Sequence, residues 1–99
     1  MPLKEMPRDI VRAHVRVSGR VQGVAYRAFA RQAALQRGLT GGVRNLDDGR
    51  VEIEVEGVRP DIDAFLMTLR TGPPLARVLD VQMEWKPATG RDDDFVIWY

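Results

Sequence analysis

The sequence changes from one regular pattern to another over ten residues, Ser18-Gly19-Arg20-Val21-Gln22-Gly23-Val24-Ala25-Tyr26-Arg27. Before this stretch, apolar and polar residues alternate over residues 10–17, which is typical of a strand with one buried face. After it, apolar residues recur at helical spacing to about Arg37, and Gly38 supplies a C-terminal stop. We therefore predict a loop with two glycines between a strand and a helix.

The same loop is suited to binding an anion. The first N–H groups of a helix have no intrahelical acceptor, and the helix dipole is positive there. Gly19 and Gly23 allow the backbone to curl so that its amides converge. Arg27 is expected in the first helical turn, where a cation opposes the dipole unless an anion is bound. Arg27 is one of thirteen arginines, however, so its position alone fits an ordinary surface residue equally well.

The rest of the chain predicts three further strands, a second helix and a short closing strand. The second strand covers about residues 39–45, and Asp48-Gly49 forms a tight turn into a third strand that begins near Val51. A helix follows Pro60 and ends at Gly72, and residues 79–85 alternate as a fourth strand. Residues 86–94 are predicted to be a polar loop and residues 95–99 a closing strand. This order is the split β-α-β pattern, an α+β fold with both helices on one face of an antiparallel sheet.

This topology brings two distant segments together. The first and second strands are parallel with the third between them, so their carboxyl ends emerge at one sheet edge, roughly 10 Å apart. We therefore expect Asn45, at the end of the second strand, to face the loop of residues 18–27. Its amide can accept a hydrogen bond from water and donate one to a phosphate oxygen. Considered alone, Asn45 is better explained as a turn residue that bonds its own backbone, and only its expected position opposite the loop favours a role in the site.

Composition limits the class of protein. With 99 residues we expect one domain, residues 10–99, after a flexible segment of residues 1–9. The absence of cysteine excludes disulfides, thiolate catalysis and cysteine-ligated metals. No apolar run has the length of a signal peptide or a membrane span, so we expect a cytoplasmic protein with no membrane partner. A net charge of +1 gives no general basic field, and we expect a monomer that does not bind nucleic acid.

Three other features could suggest a metal, catalytic or RNA-binding site, and the first two are interpreted as structural. His14, the only histidine, lies in mid-strand on the polar side and is interpreted as a solvated sheet residue. The run Asp92-Asp93-Asp94 is interpreted as a solvated loop rather than a metal site. Arg12, Arg16 and Arg44 would give the open face of the sheet a basic character, which is the one feature that favours RNA.

Two segments resemble the signatures of a known family, the acylphosphatases. The first is Gly19-Arg20-Val21-Gln22-Gly23-Val24-Ala25-Tyr26-Arg27, and the second is Gly41-Gly42-Val43-Arg44-Asn45 followed by Asp48-Gly49-Arg50-Val51-Glu52. The stretch from Gly72 to Val78 is similar to the family's approach to its fourth strand. The sequence departs from the usual pattern at Ala25-Tyr26, where glycine-phenylalanine is common, at Gly42, where tryptophan is frequent, and at Leu46, where some members have threonine.

The resemblance implies a fold, an activity and a site. The family has a ferredoxin-like two-layer α/β sandwich, and its members hydrolyse the carboxyl-phosphate bond of small acyl phosphates without a cofactor or metal. By resemblance the catalytic residues are Arg27 and Asn45, and the phosphate is bound by the backbone amides of Arg20, Val21, Gln22, Gly23 and Val24. Inorganic phosphate or sulfate is the expected site ligand besides the acyl phosphate and water. A shallow phosphate-binding loop is expected to make few contacts with the acyl group, so the sequence does not indicate which acyl phosphate is bound.

Two alternatives remain open from the sequence. One is a non-catalytic ferredoxin-like module that binds RNA or a small anion with the same loop. The other is a portion of a larger carbamoyl-transfer maturation enzyme, since similar domains occur there. The absence of zinc-binding cysteines after this domain leads us to expect a chain that acts by itself.

Overall fold

Five strands and two helices make up residues 9–99, the part of the chain that the computed structural model describes. The elements are β1 (Ile10–Arg20), α1 (Tyr26–Gln36), β2 (Thr40–Asn45), β3 (Val51–Val58), α2 (Arg59–Thr71), β4 (Arg77–Pro87) and β5 (Phe95–Ile97). The predicted order of strands and helices is confirmed. The flexible segment predicted for residues 1–9 lies, apart from Asp9, outside the described residues.

The five strands form one sheet in the order β4-β1-β3-β2-β5. β3 is antiparallel to both β1 and β2, so β1 and β2 are parallel to each other, as predicted. β5 extends the sheet beyond β2 and is parallel to it, whereas the other pairings are antiparallel. The predicted two-layer α/β sandwich is confirmed, and the carboxyl ends of β1 and β2 lie at the same sheet edge.

The first strand is longer than the sequence pattern indicates. Ser18, Gly19 and Arg20 continue β1 and pair with β4, with a bulge between Ser18 and Gly19. Gly19 has a φ of +124°, and a side chain there would collide with the carbonyl oxygen of Arg77. This close approach keeps β1 paired past the end of its alternating pattern. The predicted loop of residues 18–27 is therefore wrong in its first three residues, and residues 21–25 form the connection to α1.

The helices cover one face of the sheet with a continuous apolar core. β1 and β3 present fully buried side chains to this face, including Val15, Val17 and Ile53. α2 contributes Phe65, whose ring meets that of Phe95 edge-on at a centroid distance of 6.0 Å. Burial of this apolar surface is the main force that holds the two layers together. The loops at the ends of β1 and β2 thus extend from a well-packed core.

The opposite face of the sheet is not the solvated basic surface that the sequence predicted. Arg12 is only 2% exposed, and its guanidinium donates to Glu54 (2.7 Å), Glu56 (3.1 Å) and Asp92 (3.0 Å). His14 is 7% exposed, with Nε2 2.8 Å from Glu52 Oε2. The interpretation of His14 as solvated is therefore wrong, because alternate residues of β3 place three glutamates beside the polar side chains of β1.

The loop after β4 closes over this charged face. The N–H groups of Thr89 and Gly90 each donate to the Glu56 carboxylate at 2.8 Å, and Asp92 completes the surroundings of Arg12. Burial alone would raise the pKa of Glu56, but these donors and Arg12 hold it below its usual value. Asp92 is thus an ion-pair partner and not a freely solvated residue. Arg12 and Arg44 of this face are paired with carboxylates, whereas Arg16 forms no ion pair within residues 9–99, so the predicted basic character is wrong for two of its three arginines.

Tyr26 links the start of α1 to the end of α2. Its hydroxyl is buried and donates to the carbonyl oxygen of Leu69 at 2.7 Å, and burial raises the pKa of this phenol. The residue four positions after Leu69 is Pro73, which has no N–H to satisfy that carbonyl within a helix. The tyrosine found where the family often has phenylalanine therefore caps the second helix.

We expect Tyr26→Phe to lower the free energy of unfolding by about 1 to 2 kcal/mol, because the buried carbonyl of Leu69 loses its donor. Urea denaturation followed by circular dichroism measures this change. Tyr99→Phe removes the same hydroxyl from a fully exposed ring and serves as the control, with an expected change within about 0.5 kcal/mol. Equal stability of wild type and Tyr26→Phe would show that the hydroxyl does not cap α2.

Candidate active site

The connection between β1 and α1 is anchored to the core on one side and open to solvent on the other. Val21 and Val24 are buried, at 1% and 7% exposure, and anchor the loop to the core. Gly23 has a φ of +74° and no atom near the position that a Cβ would occupy. Left-handed residues separated by right-handed or extended ones turn successive N–H groups toward a common point, which favours an anion. The glycine is required here by backbone conformation and not by lack of space.

Ala25, the N-cap of α1, is strained. It has a φ of +63° and is the one non-glycine residue with positive φ among residues 9–99. The left-handed conformation costs roughly 1 to 2 kcal/mol for a residue that has a Cβ. The common family pattern has glycine at this position, which adopts positive φ without strain. The alanine of this sequence therefore strains the loop next to the candidate site.

We expect Ala25→Gly to raise the free energy of unfolding by about 0.5 to 1 kcal/mol, since relief of strain exceeds the added entropy of the unfolded chain. Thermal and urea unfolding measure it. The same substitution at Ala28, an exposed residue inside α1, should instead lower stability by about 1 kcal/mol. Destabilisation by both substitutions would contradict the strain at Ala25.

A cavity of about 170 Å³ opens at this edge of the sheet, beside the start of α1. Its lining combines the loop, the first turn of α1, the end of β2 and the C-terminal residues: Val21, Gly23, Ala25, Tyr26, Arg27, Ala28, Asn45, Ile97 and Tyr99. Arg27 and Asn45, eighteen positions apart in sequence, therefore meet in one cavity, as the parallel arrangement of β1 and β2 predicts.

Arg27 is the second residue of α1, in the first turn as predicted. That turn, which the structure describes in full, contains no acidic residue. The ion pairs formed within residues 9–99 do not include Arg27. Its guanidinium carbon instead lies 5.5 Å from the centre of the Tyr99 ring. The cation and the positive helix end reinforce each other and create a strongly anion-attracting position.

Asn45 ends β2 opposite the loop, in register with Val51 of β3. Its side-chain oxygen is buried, and no group of the described chain donates to it. This is unusual, because buried polar atoms nearly always have a partner. The structure thus gives no support to the interpretation of Asn45 as a residue that only bonds its own turn. An unsatisfied acceptor beside a cation is a place where a water molecule or ligand can donate a hydrogen bond.

Gln22 uses its side chain in a way that the sequence did not reveal. Its Nε2 donates to the carbonyl oxygens of Leu46 at 2.8 Å and Arg50 at 2.9 Å, both in the turn after Asn45. Among the five residues predicted to bind phosphate through their amides, Val21 and Gly23 line the cavity. Arg20, Gln22 and Val24 do not: Arg20 ends β1, Val24 is buried, and Gln22 faces the turn.

Five lining residues were not among the predicted site residues. Ala25, Tyr26 and Ala28 adjoin Arg27 in sequence, whereas the other two, Ile97 and Tyr99, come from the distant C-terminal segment. β5 places them there because it pairs parallel to β2, with Ile97 in register with Val43. Short terminal strands carry no signal for their partner, so no sequence pattern indicated this position. The Tyr99 ring is fully exposed at the mouth of the cavity beside Arg27.

Gly42 has a packing explanation. Its missing side chain makes room for the indole of Trp98, which occupies the position that a Cβ of residue 42 would need. The backbone N–H of Trp98 donates to the backbone carbonyl of Val43 at 2.8 Å, which fixes the tryptophan over β2. An indole from the end of the chain thus covers the strand where the family often has a tryptophan in β2 itself.

The described residues offer neither a metal-binding cluster nor a membrane-spanning helix. Residues 9–99 contain no group of three or more histidine, aspartate or glutamate side chains arranged to hold a metal ion. Neither of the two described helices is long and apolar enough to cross a bilayer.

Comparison with known proteins identifies the family. The model of the acylphosphatase family matches residues 13–97. The chain belongs to the acylphosphatase family. An acylphosphatase of Methylococcus capsulatus is 51% identical over 86 residues, which cover 87% of this chain and 94% of the relative. The crystal structure of acylphosphatase from Bacillus subtilis superposes with a TM-score of 0.87 at 36% identity, covering 90% of this chain and 99% of that one.

The same fold also occurs inside a larger protein. A crystal structure of full-length HypF in the phosphate- and nucleotide-bound form gives a TM-score of 0.84 at 28% identity, and the match covers 96% of this chain but 12% of HypF. The Methylococcus and Bacillus acylphosphatases, by contrast, are covered over nearly their whole length. The predicted acylphosphatase enzyme with a ferredoxin-like fold is therefore confirmed.

Proposed function

We propose that this acylphosphatase hydrolyses the carboxyl-phosphate bond of small acyl phosphates to a carboxylate and inorganic phosphate. The observation that carries the proposal is the cavity in which Arg27, a cation outside the ion pairs of residues 9–99, meets Asn45, whose side-chain oxygen is buried without a donor. Arg27 and Asn45 are the proposed catalytic residues. A single domain, residues 10–99, provides the scaffold.

The phosphoryl group binds in the loop. The proposed donors are the backbone amides of residues 20–24, among which Val21 and Gly23 line the cavity, and those at the start of α1. The planar guanidinium of Arg27 provides two parallel donors for phosphate oxygens. A phosphate bound here lies beside both the positive end of α1 and the cation of Arg27. Its negative charge therefore offsets the unfavourable placement of that cation in the first helical turn. Inorganic phosphate and sulfate carry the same oxygens and should compete for this place.

The attacking water is held by Asn45. Its Oδ1 accepts a hydrogen bond from the water, which leaves an oxygen lone pair aimed at phosphorus. The water oxygen forms a new bond to phosphorus in line with the departing acyl oxygen, and the phosphorus–oxygen bond to the acyl group breaks with its electron pair. The proton of the water passes to a phosphate oxygen. Arg27 stabilises the negative charge on the phosphoryl oxygens throughout.

Neither a general acid nor a metal is needed by this reaction. The leaving group is a carboxylate with a pKa of about 4 to 5, so it departs without protonation. Positive charge comes from Arg27 and the helix end, which hold and orient the phosphoryl group. We accordingly propose a metal-independent enzyme without cofactor, a monomer located in the cytoplasm, that has no nucleic-acid or membrane partner.

The test is steady-state hydrolysis of benzoyl phosphate with and without a chelator such as EDTA. Turnover that is unchanged by the chelator supports both the reaction and its metal independence. Turnover that disappears with the chelator and returns on addition of Mg²⁺ would contradict the metal-free mechanism. Absence of turnover together with salt-sensitive RNA binding would instead favour the non-catalytic module.

A further inference from the structure

The side-chain amide of Gln22 bridges the two halves of the candidate site. β1 and β2 are separated by β3, so no backbone ladder joins the loop after β1 directly to the end of β2. The Nε2 of Gln22 crosses this gap and donates to Leu46 at 2.8 Å and to Arg50 at 2.9 Å. Leu46 directly follows Asn45, and Arg50 directly precedes β3.

The two carbonyl groups are suited to these bonds. The Leu46 carbonyl also accepts from Gly49 N at 3.2 Å, and the Arg50 carbonyl accepts from Leu46 N at 2.8 Å. Each oxygen has two lone pairs, so each can accept both a turn hydrogen bond and one from Gln22. The NH₂ group has two hydrogens, one for each carbonyl. A glutamine here completes the hydrogen bonding of the turn that carries Asn45.

We propose that Gln22 is a positioning residue that sets the distance between the phosphate-binding loop and Asn45. The inference rests on the proposed function, in which phosphate sits on the loop and Asn45 holds the attacking water. Gln22 belongs to the loop by its backbone and to the turn by its side chain, so any shift of the turn away from the loop breaks both bonds. It therefore acts on water attack and not on the affinity for phosphate.

Other residue types do not reproduce this bridge. Asparagine is shorter by one methylene, glutamate has acceptors where donors are needed, and lysine would bring a point charge beside Arg27 and the phosphate. Methionine retains the length and unbranched shape of glutamine but cannot donate. Gln22→Met is thus the substitution that removes the two bonds with least change in packing.

The first experiment compares kcat with the inhibition constant of inorganic phosphate. Gln22→Met should lower kcat for benzoyl phosphate by about 10- to 100-fold, because misplacement of the reacting groups by about 1 Å has effects of this size. The phosphate inhibition constant should stay within about 2-fold of wild type, since the loop amides and Arg27 remain. Gln36→Met, the same change at an exposed position at the end of α1, is the control with unchanged kinetics.

The second experiment tests whether Gln22 acts through Asn45. In an Asn45→Ala background, Gln22→Met should have almost no further effect on kcat, since the residue being positioned is absent. Multiplicative effects of the two substitutions would show that they act independently and would overturn the inference. Loss of phosphate affinity in step with kcat would also overturn it, because Gln22 would then shape the loop itself.

A second variant covers the case in which methionine perturbs folding. Gln22→Glu is nearly isosteric, and its carboxylate repels both carbonyl oxygens at neutral pH. Protonation near a pH of about 4 to 5 restores one donor, so kcat relative to wild type should rise as the pH falls through this range. A constant ratio across pH, or wild-type kcat in either variant, would refute the positioning role. Inactivity of the wild-type protein would refute the proposed function instead.

Discussion

Arg27→Ala is expected to lower kcat/KM for benzoyl phosphate by about 10²- to 10³-fold, which is typical for removal of one group that stabilises transition-state charge. Inhibition by inorganic phosphate should weaken as well, because the guanidinium is proposed to contact both substrate and product. The fold should not suffer. A cation in the first turn of α1 opposes the helix dipole, so its removal should raise the stability of the free protein by about 0.3 to 1 kcal/mol.

This opposite movement of activity and stability distinguishes a functional arginine from a structural one. Arg37→Ala, at the other end of α1, serves as the matched control and should retain full activity. Arg27→Lys keeps the charge but not the planar pair of donors, and should recover only part of the lost activity. Wild-type activity in Arg27→Ala would eliminate the proposed mechanism, whatever its stability.

Asn45→Ala is the second substitution with a large expected effect, a loss of about 10²- to 10³-fold in kcat. Asn45 is proposed to hold water and not phosphate, so the inhibition constant of inorganic phosphate should change by less than about 3-fold. Steady-state kinetics with benzoyl phosphate and product inhibition by phosphate give both quantities. The roles proposed for Arg27 and Asn45 are thus distinguished by the kinetic constant that each substitution alters.

Thr40→Ala, at the other end of β2, is the control for a general effect on this strand. Stability of Asn45→Ala should match or exceed that of wild type, because the buried oxygen has no donor in the described chain to lose. A parallel loss of phosphate affinity would assign Asn45 to phosphate binding and would leave the water without its proposed ligand.

Local signals in the sequence carried the prediction of the elements. The alternation of β1, the helical periodicity after Ala25, the Asp48-Gly49 turn and the glycine at position 72 each gave the correct element. Topology then followed from the handedness and spacing of split β-α-β units, and with it the meeting of Arg27 with Asn45. Both residues were therefore predictable from sequence, because each lies at the end of a regular element whose direction the pattern fixes.

The errors share a different cause. His14 and Arg12 were predicted on a solvated face because the alternating pattern places their side chains away from the core. The pattern does not indicate which segments cover the second face of the sheet. The loop of residues 88–94 folds over Arg12, and the glutamates of β3 surround both residues. Ile97 and Tyr99 were missed because the partner of a short terminal strand depends on which sheet edge is free.

The sequence by itself determined the layers, the strand directions and the two polar groups that meet at the sheet edge, since these depend on periodicity, turn residues and chain topology. The tertiary structure alone decided three matters: the buried charges of the second face, the aromatic residue at the mouth of the cavity, and the contact of Gln22 with the turn after Asn45. The physical reason is that side-chain hydrogen bonds between distant segments depend on distances of a few tenths of an ångström. Patterns of residue type carry no such distances.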